Sequence, residues 1–241
     1  AVMTEATLKV LPSPENTRTV FIIWANGSIS DKFGNQAMKE AVVSTNEVSG
    51  AAHLPAKIAA RSDVEYVKST GCAITAVRVE GPAPSTAYRC AALKAIFSKY
   101  GDVEELHTKN SKKLWKEIAD VSYMAANQNS AVWRLSVPPT EGANVVRRIL
   151  ENCEADVMYD WAGGLVWLQA NETDYASQDS VRQSVAEVGG HATLVRASDE
   201  LRASANVFQP LGSYMAGITK RVKDGFDPEG ILNPGRMYKG I

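Results

Sequence analysis

The sequence predicts an α+β protein with one antiparallel sheet, and three observations predict it. Strand-like and helix-like periodicities follow in the order β-α-β-β-α-β, and then in that order again. Turn signals stand between them, above all Pro138-Pro139 and Gly163-Gly164. Of the 241 residues, 45% are hydrophobic and 22% charged, so the chain can bury a real core.

Val2 to Leu11 alternates as a strand does, with Val2, Leu8 and Val10 apolar, and Pro-Ser-Pro-Glu-Asn follows as a turn or linker. Thr17 to Trp24 is β-branched and aromatic, hence a buried strand. Asp31 to Val43 reads as a helix with Phe33, Ala37, Met38 and Ala41 on one face and Ser30 or Asp31 as its N-cap. Val48 to Leu54 is a short extended piece stopped by Pro55, and Cys72 to Glu80 is a strand. Thr86 to Lys99 is a helix followed by Gly101, and Val103 to His107 closes the first unit as a strand.

A connecting helix is expected over Asn110 to Ala119, after which the order recurs. Ala131 to Val137 is a strand and Ala143 to Glu151 a helix. Val157 to Trp161 and Leu165 to Gln169 are strands around Gly163-Gly164, a hairpin signal. Asp174 to Val188 is a helix and His191 to Arg196 a strand. Each half is thus a split βαβ unit, ferredoxin-like. The repeat lies in element order, not in residues. Two such units can merge their antiparallel sheets into one, with helices on one face. A last helix, about Gly212 to Lys223, leads into the C-terminal tail.

Composition excludes several classes. With 26 basic and 27 acidic residues the net charge is −1, so nothing drives the chain toward nucleic acid or anionic membrane. No apolar run approaches the ~20 residues that span a bilayer, and the first residues are not a signal peptide. Cys72, Cys90 and Cys153 are widely spaced and the three histidines are scattered. No zinc site is expected, and a reduced, intracellular setting is the simplest reading. There is no Gly-x-Gly-x-x-Gly before a helix, no phosphate-binding P-loop and no Gly-x-Ser-x-Gly. The chain opens on Ala1 directly into alternation, which reads as a cut edge, or as a natural N-terminus after processing.

Phe226 to Ile241 reads F-D-P-E-G-I-L-N-P-G-R-M-Y-K-G-I. Pro228 and Pro234 are expected to hold Asp227 and Asn233 extended. Asn233-Pro234-Gly235-Arg236 has type II turn chemistry, with Gly235 taking the positive φ. Such a turn presents the Asn233 carboxamide and the Arg236 fork in preset directions; alternatively it only caps the last helix.

F-D-P-E-G-I-L-N-P-G resembles the C-terminal end of FAD-linked oxidases of the vanillyl-alcohol oxidase type, and R-M-Y extends the likeness to the E-type subunits of bacterial glycolate oxidases. Ala1 to Pro12, Ser49 to Pro55, Trp133 to Thr140, Asp160 to Leu168 and Gly189 to Leu194 resemble stretches of the same subunit family, in order. The resemblance implies the cap domain of FAD-linked oxidases over 15–225, the last strand of a mostly absent FAD-binding domain over 1–14, and a flavin-proximal tail over 226–241. It implies FAD as cofactor of the full-length protein, poorly held by this chain alone, with Asn233 near the isoalloxazine ring and Arg236 close enough to favour negative charge on reduced flavin. Arg236 reads equally as a surface ion pair.

The same resemblance implies oxidation of glycolate or a similar 2-hydroxy acid, with D-lactate an alternative. The implied partners are a D-like flavoprotein and an F-like iron–sulfur protein, in the cytoplasm or peripherally at the inner membrane. A non-catalytic assembly role is the rival reading. His191, after Gly189-Gly190, is a flavin- or substrate-facing imidazole that handles a proton, or a strand-start histidine bonded to backbone. His53 has the same two readings. Arg134 is a carboxylate-binding fork, or a clamp paired with Asp160 across neighbouring strands. Trp161 and Trp167 pack the sheet or wall a pocket.

Overall fold

Residues of the first strand divide as their alternation requires. Val20, Ile22 and Trp24 bury on one face of the sheet and Phe21 on the other. The computed structural model describes residues 3–10, 12–25, 30–127, 129–171, 175–238 and 240. The strands are β1 (Asn16–Trp24), β2 (Gly50–Leu54), β3 (Ala73–Gly81), β4 (Asp102–Leu106), β5 (Ser130–Ser136), β6 (Ala155–Asp160), β7 (Leu165–Asn171) and β8 (His191–Arg196). The helices are α1 (Ser30–Val43), α2 (Ala56–Ala59), α3 (Glu65–Lys68), α4 (Ala83–Phe97), α5 (Thr108–Ala119), α6 (Gly142–Leu150), α7 (Tyr175–Ala186), α8 (Asp199–Ser204) and α9 (Ser213–Phe226).

The strands form one antiparallel sheet of eight in the order β4-β1-β3-β2-β6-β7-β5-β8. Both halves are the expected βαββαβ units. They meet edge to edge through the second strand of each, where His53 of β2 pairs with Tyr159 of β6. α1, α4, α6 and α7 cover one face through Met38, Leu93, Phe97, Val145, Ile149, Val181 and Val185. The segments between the repeated elements add a second layer that the sequence pattern did not reveal. α2, α3 and α5 cover the opposite face through Ile58, Val67, Leu114, Trp115 and Ile118. That layer packs mainly on β1 to β4, with Val132 and Met158 at its margin.

Polar side chains are buried where the halves join. Trp24 Nε1 donates to Thr75 Oγ1 (2.8 Å), and Thr75 Oγ1 lies 2.8 Å from His53 Nδ1. His53 Nε2 reaches Asp31 Oδ1 (3.2 Å), and the Tyr159 hydroxyl donates to Asp31 Oδ2 (2.8 Å). One donor order, from Trp24 to Thr75 to His53 to Asp31, satisfies every atom of this chain. Burial, followed by the Asp31 carboxylate, pushes the Tyr159 phenol well above its ordinary range, so it remains a donor. His53 is therefore a seam residue bonded to side chains, on the helix-covered face. Asp31, one of the two residues considered for the N-cap of α1, lies in its first turn and spends its carboxylate on the seam.

Two expectations give way. Residues 3–10 form no strand, and Met3, Leu8 and Val10 are exposed; a lone alternating segment with no strand beside it gains no ladder. Val2 and Leu11, the ends of that expected strand, and Asp174, the expected start of α7, lie outside the described residues. Asn233 is not extended but has φ of +47°.

α1 can sit on the seam because Gly34 has no side chain. A Cβ there would lie 2.4 Å from His53 Nδ1, and His53 is pinned on both ring nitrogens. Gly34→Ala is expected to destabilise the protein by about 1–3 kcal/mol, read as a lowered urea midpoint at unchanged m-value.

Candidate functional site

β5 puts alternate residues on opposite faces. Trp133 and Leu135 point into the helix-covered core, so Arg134 and Ser136 point to the other side. In β8, Ala192 and Leu194 are in the same core, which turns His191, Thr193 and Val195 to Arg134's side. Register then builds a patch. Arg134 stands between Trp167 of β7 and Thr193 of β8, and Ser136 between Leu165 and His191. His191 is exposed and Arg134 half-buried.

Gly189 and Gly190 serve the scaffold at this edge. Gly189 has φ of +68°, and a Cβ on Gly190 would lie 2.7 Å from the Ser136 carbonyl oxygen. The close approach read from the sequence is made, but to β5. It sets His191 at the mouth of β8.

The expected Arg134–Asp160 clamp does not form. Arg134 is on β5 and Asp160 on β6, with β7 between them. Asp160 Oδ1 instead accepts the Trp161 N–H at 2.7 Å. Burial raises the Asp160 carboxyl's pKa, opposed by that bond and by the charge of Arg78. The Arg134 guanidinium lies over the Trp161 ring, 5.5 Å from its centroid. Trp161 and Ala162 have φ of +50° and +56°, a left-handed pair unusual for side chains of any bulk. The turn is tightly packed. A Cβ on Gly163 would lie 2.3 Å from Asn35 of α1, and a Cβ on Gly142 of α6 would lie 2.3 Å from the Gly163 carbonyl oxygen.

The tail makes the expected turn. Arg236 N donates to Asn233 O (3.2 Å) and Gly235 has φ of +69°. Lys223, Leu232, Asn233, Arg236 and Met237 line one open groove. Asp227 organises this segment, a role that sequence reasoning missed. It takes Ile231 N on Oδ1 (3.1 Å), Leu232 N on Oδ2 (2.9 Å) and the Lys223 ammonium at 2.5 Å. The signal was present: a lysine four residues before an Asp-Pro-x-Gly turn. Lys223 first, then these N–H groups, hold the Asp227 carboxyl below its usual range.

Among the described residues, the side chains of Arg134, His191, Asn233 and Arg236 make no hydrogen bond or ion pair. Two stand on the patch and two on the tail. No group of three or more His, Cys, Asp or Glu able to hold a metal occurs among the described residues. No described helix is long and apolar enough to cross a membrane.

The depressed Asp227 carboxyl fixes a sign for pH. Its contribution to tail order is complete above the ordinary aspartate value of about 3.9. It disappears as pH falls below that value through the folded one. Asp227→Asn is expected to do the same at neutral pH, with several-fold loss of amide-exchange protection at Ile231 and Leu232 and none in β5.

Residues 211–237 match the family described as FAD linked oxidases, C-terminal domain. Over 126 residues, 52% of this chain and 31% of the relative, the sequence is 25% identical to glycolate oxidase subunit GlcE of Escherichia coli (strain K12). The aligned part is thus about a third of that relative. The fold is similar to 4-ethylphenol oxidase from Gulosibacter chungangensis in complex with isoeugenol, with TM-score 0.58 and 13% identity, over 95% of this chain and 55% of that one. It is also similar to p-cresol methylhydroxylase with substrate bound, with TM-score 0.54 and 13% identity, over 94% and 53%. By fold over most of its length the chain is similar to these two enzymes, by sequence over about half of it to glycolate oxidase subunit GlcE, and over residues 211–237 to the C-terminal domain of FAD linked oxidases.

Proposed function

We propose that the chain is the substrate-facing, C-terminal region of a flavin-dependent oxidoreductase subunit that oxidises a small 2-hydroxy acid such as glycolate. One observation carries this reading. The sheet face opposite α1, α4, α6 and α7 has its second helix layer mainly on β1 to β4, and beyond that layer, among the described residues, Arg134 and His191 keep uncommitted polar groups. A face with a cation, an imidazole and two indole rings suits a carboxylate with a hydroxyl on the next carbon.

The donor chemistry of the tail fits a flavin. The Asn233 carboxamide offers donors and acceptors to a ring edge rich in carbonyl oxygen and nitrogen, and Arg236 offers positive charge. When bound, FAD supplies the two-electron acceptor for hydride from the substrate α-carbon. Arg134 binds and orients the carboxylate with its planar fork. His191 takes the proton from the substrate hydroxyl, the role of a general base. Asn233 and Arg236 hold the cofactor's edge. In this reading residues 1–14 belong to the FAD-binding domain, 15–225 are the cap, and the remaining FAD contacts lie outside this chain. D-like flavoprotein and F-like iron–sulfur subunits are the proposed partners.

The exposed apolar residues of α9 and the tail favour a second reading, in which the subunit mainly docks a partner flavoprotein. Substitutions in a full-length, FAD-bearing protein separate the two. Under the catalytic reading Arg134→Lys raises KM for the 2-hydroxy acid by about 10- to 100-fold. His191→Asn lowers kcat by about 100-fold or more, with flavin content unchanged. Full turnover in both variants, together with loss of complex assembly on substituting Phe226 and Ile231, would establish the docking role instead.

A further inference from the structure

Arg134 and Trp161 are held by different means. The Trp161 backbone is fixed: Asp160 takes its N–H, Gly164 N donates to its carbonyl (3.0 Å), and the following Gly163 packs against Asn35 and Gly142. Its ring nevertheless stands 62% exposed on the bare face. An apolar ring kept in solvent by a strained backbone calls for an explanation, because a residue with φ of +50° persists only where its surroundings over-determine it. Arg134 is the reverse case. Its backbone is ordinary strand, and its guanidinium rests on the ring with every N–H free of protein acceptors among the described residues.

We propose that Trp161 is a positioning residue that parks the Arg134 fork, and that a small carboxylate draws the fork off the ring and leaves the indole as the wall against the substrate's carbon chain. This rests on the reading of Arg134 as the carboxylate-binding residue and adds the element that sets substrate size. A charge-assisted fork–carboxylate pair is stronger than an exposed cation–π contact, so the exchange is favourable. Parking also keeps a long, flexible side chain near its working position, which lowers the ordering cost of binding. In this proposal the indole beside the fork bounds the carbon chain, favouring a short one over a long one. The site therefore selects two- and three-carbon 2-hydroxy acids.

Movement of the guanidinium changes the surroundings of an exposed indole, so tryptophan emission of this chain reads it without turnover. Titration with glycolate is expected to give a saturable change. Glycolamide, the neutral isostere, is expected to give none, and Arg134→Gln to abolish the response. Trp161→Phe is expected to remove most of the signal, while calorimetry still detects glycolate. In the FAD-bearing full-length protein, Trp161→Ala is expected to narrow the preference for glycolate over five-carbon 2-hydroxy acids by about tenfold, through KM and not kcat. A glycolate response that survives Arg134→Gln, or equal responses to glycolamide, overturns the proposal. So does a silent wild-type chain when Arg134→Lys still raises KM in the full-length protein; that result spares the proposed function. If Arg134→Lys leaves KM unchanged, the reading of Arg134 itself fails and takes this proposal with it.

Discussion

The join between β2 and β6 is the constraint on which the rest depends. Each half of the sheet could end at its second strand, exposing an edge of unpaired N–H and C=O groups. Here the two edges meet, with His53 opposite Tyr159. The ladder at the join is short, and side chains reinforce it. Asp31 of α1 is bonded at once to His53 of one half and Tyr159 of the other. Taking these groups from water is unfavourable unless each finds a partner, and the chain through Thr75 and Trp24 supplies one for every atom. The network also specifies register, because a one-residue slip of β2 would turn His53 to the opposite face.

From that join follows the difference between the two faces. α1, α4, α6 and α7 run across both halves and make one core. α2, α3 and α5 are drawn from the segments after β2 and β4, and so lie chiefly on the first half. In the second half β6 and β7 are joined only by the tight turn through Trp161 to Gly163, and α8, which follows β8, packs through Leu201 on the other face. Its outer face carries Arg134, Thr193 and His191 beside the exposed Trp161 ring and the half-buried Trp167 ring. The contrast in connection length thus decides where a site can exist, and the tight turn that leaves the face bare also places the indole on it.

Much of this was legible in the sequence because period-2 and period-3.6 patterns are local. All eight strands of the sheet lie close to where local pattern placed them, and the doubled element order suggested one merged sheet without its strand order. α2 and α3 were not legible: at four residues each they are too short to show a period. The position of Trp161 was hidden for a different reason. Its turn packs through Gly163 on Asn35 and Gly142, which are distant in sequence, while the adjacent glycines signalled only a turn. Strand order also undid the Arg134–Asp160 pairing, since residues on strands that are close in sequence can have a third strand between them. Asn233 departed from the extended backbone that Pro234 favours and stands at positive φ, a conformation that asparagine adopts more readily than most side chains.

α9 has no buried residue, although Met215, Ile218, Val222 and Phe226 share one face by their spacing. Its 14 residues are held by local terms such as the Lys220–Asp224 and Lys223–Asp227 pairs. A helix of that length supported only locally is marginal in water. The arm therefore belongs to the low-stability end of the molecule and opens at lower cost than the core strands. Its helicity serves as a gauge of contact: whatever covers the stripe of Met215 and Val222 adds directly to the arm's stability.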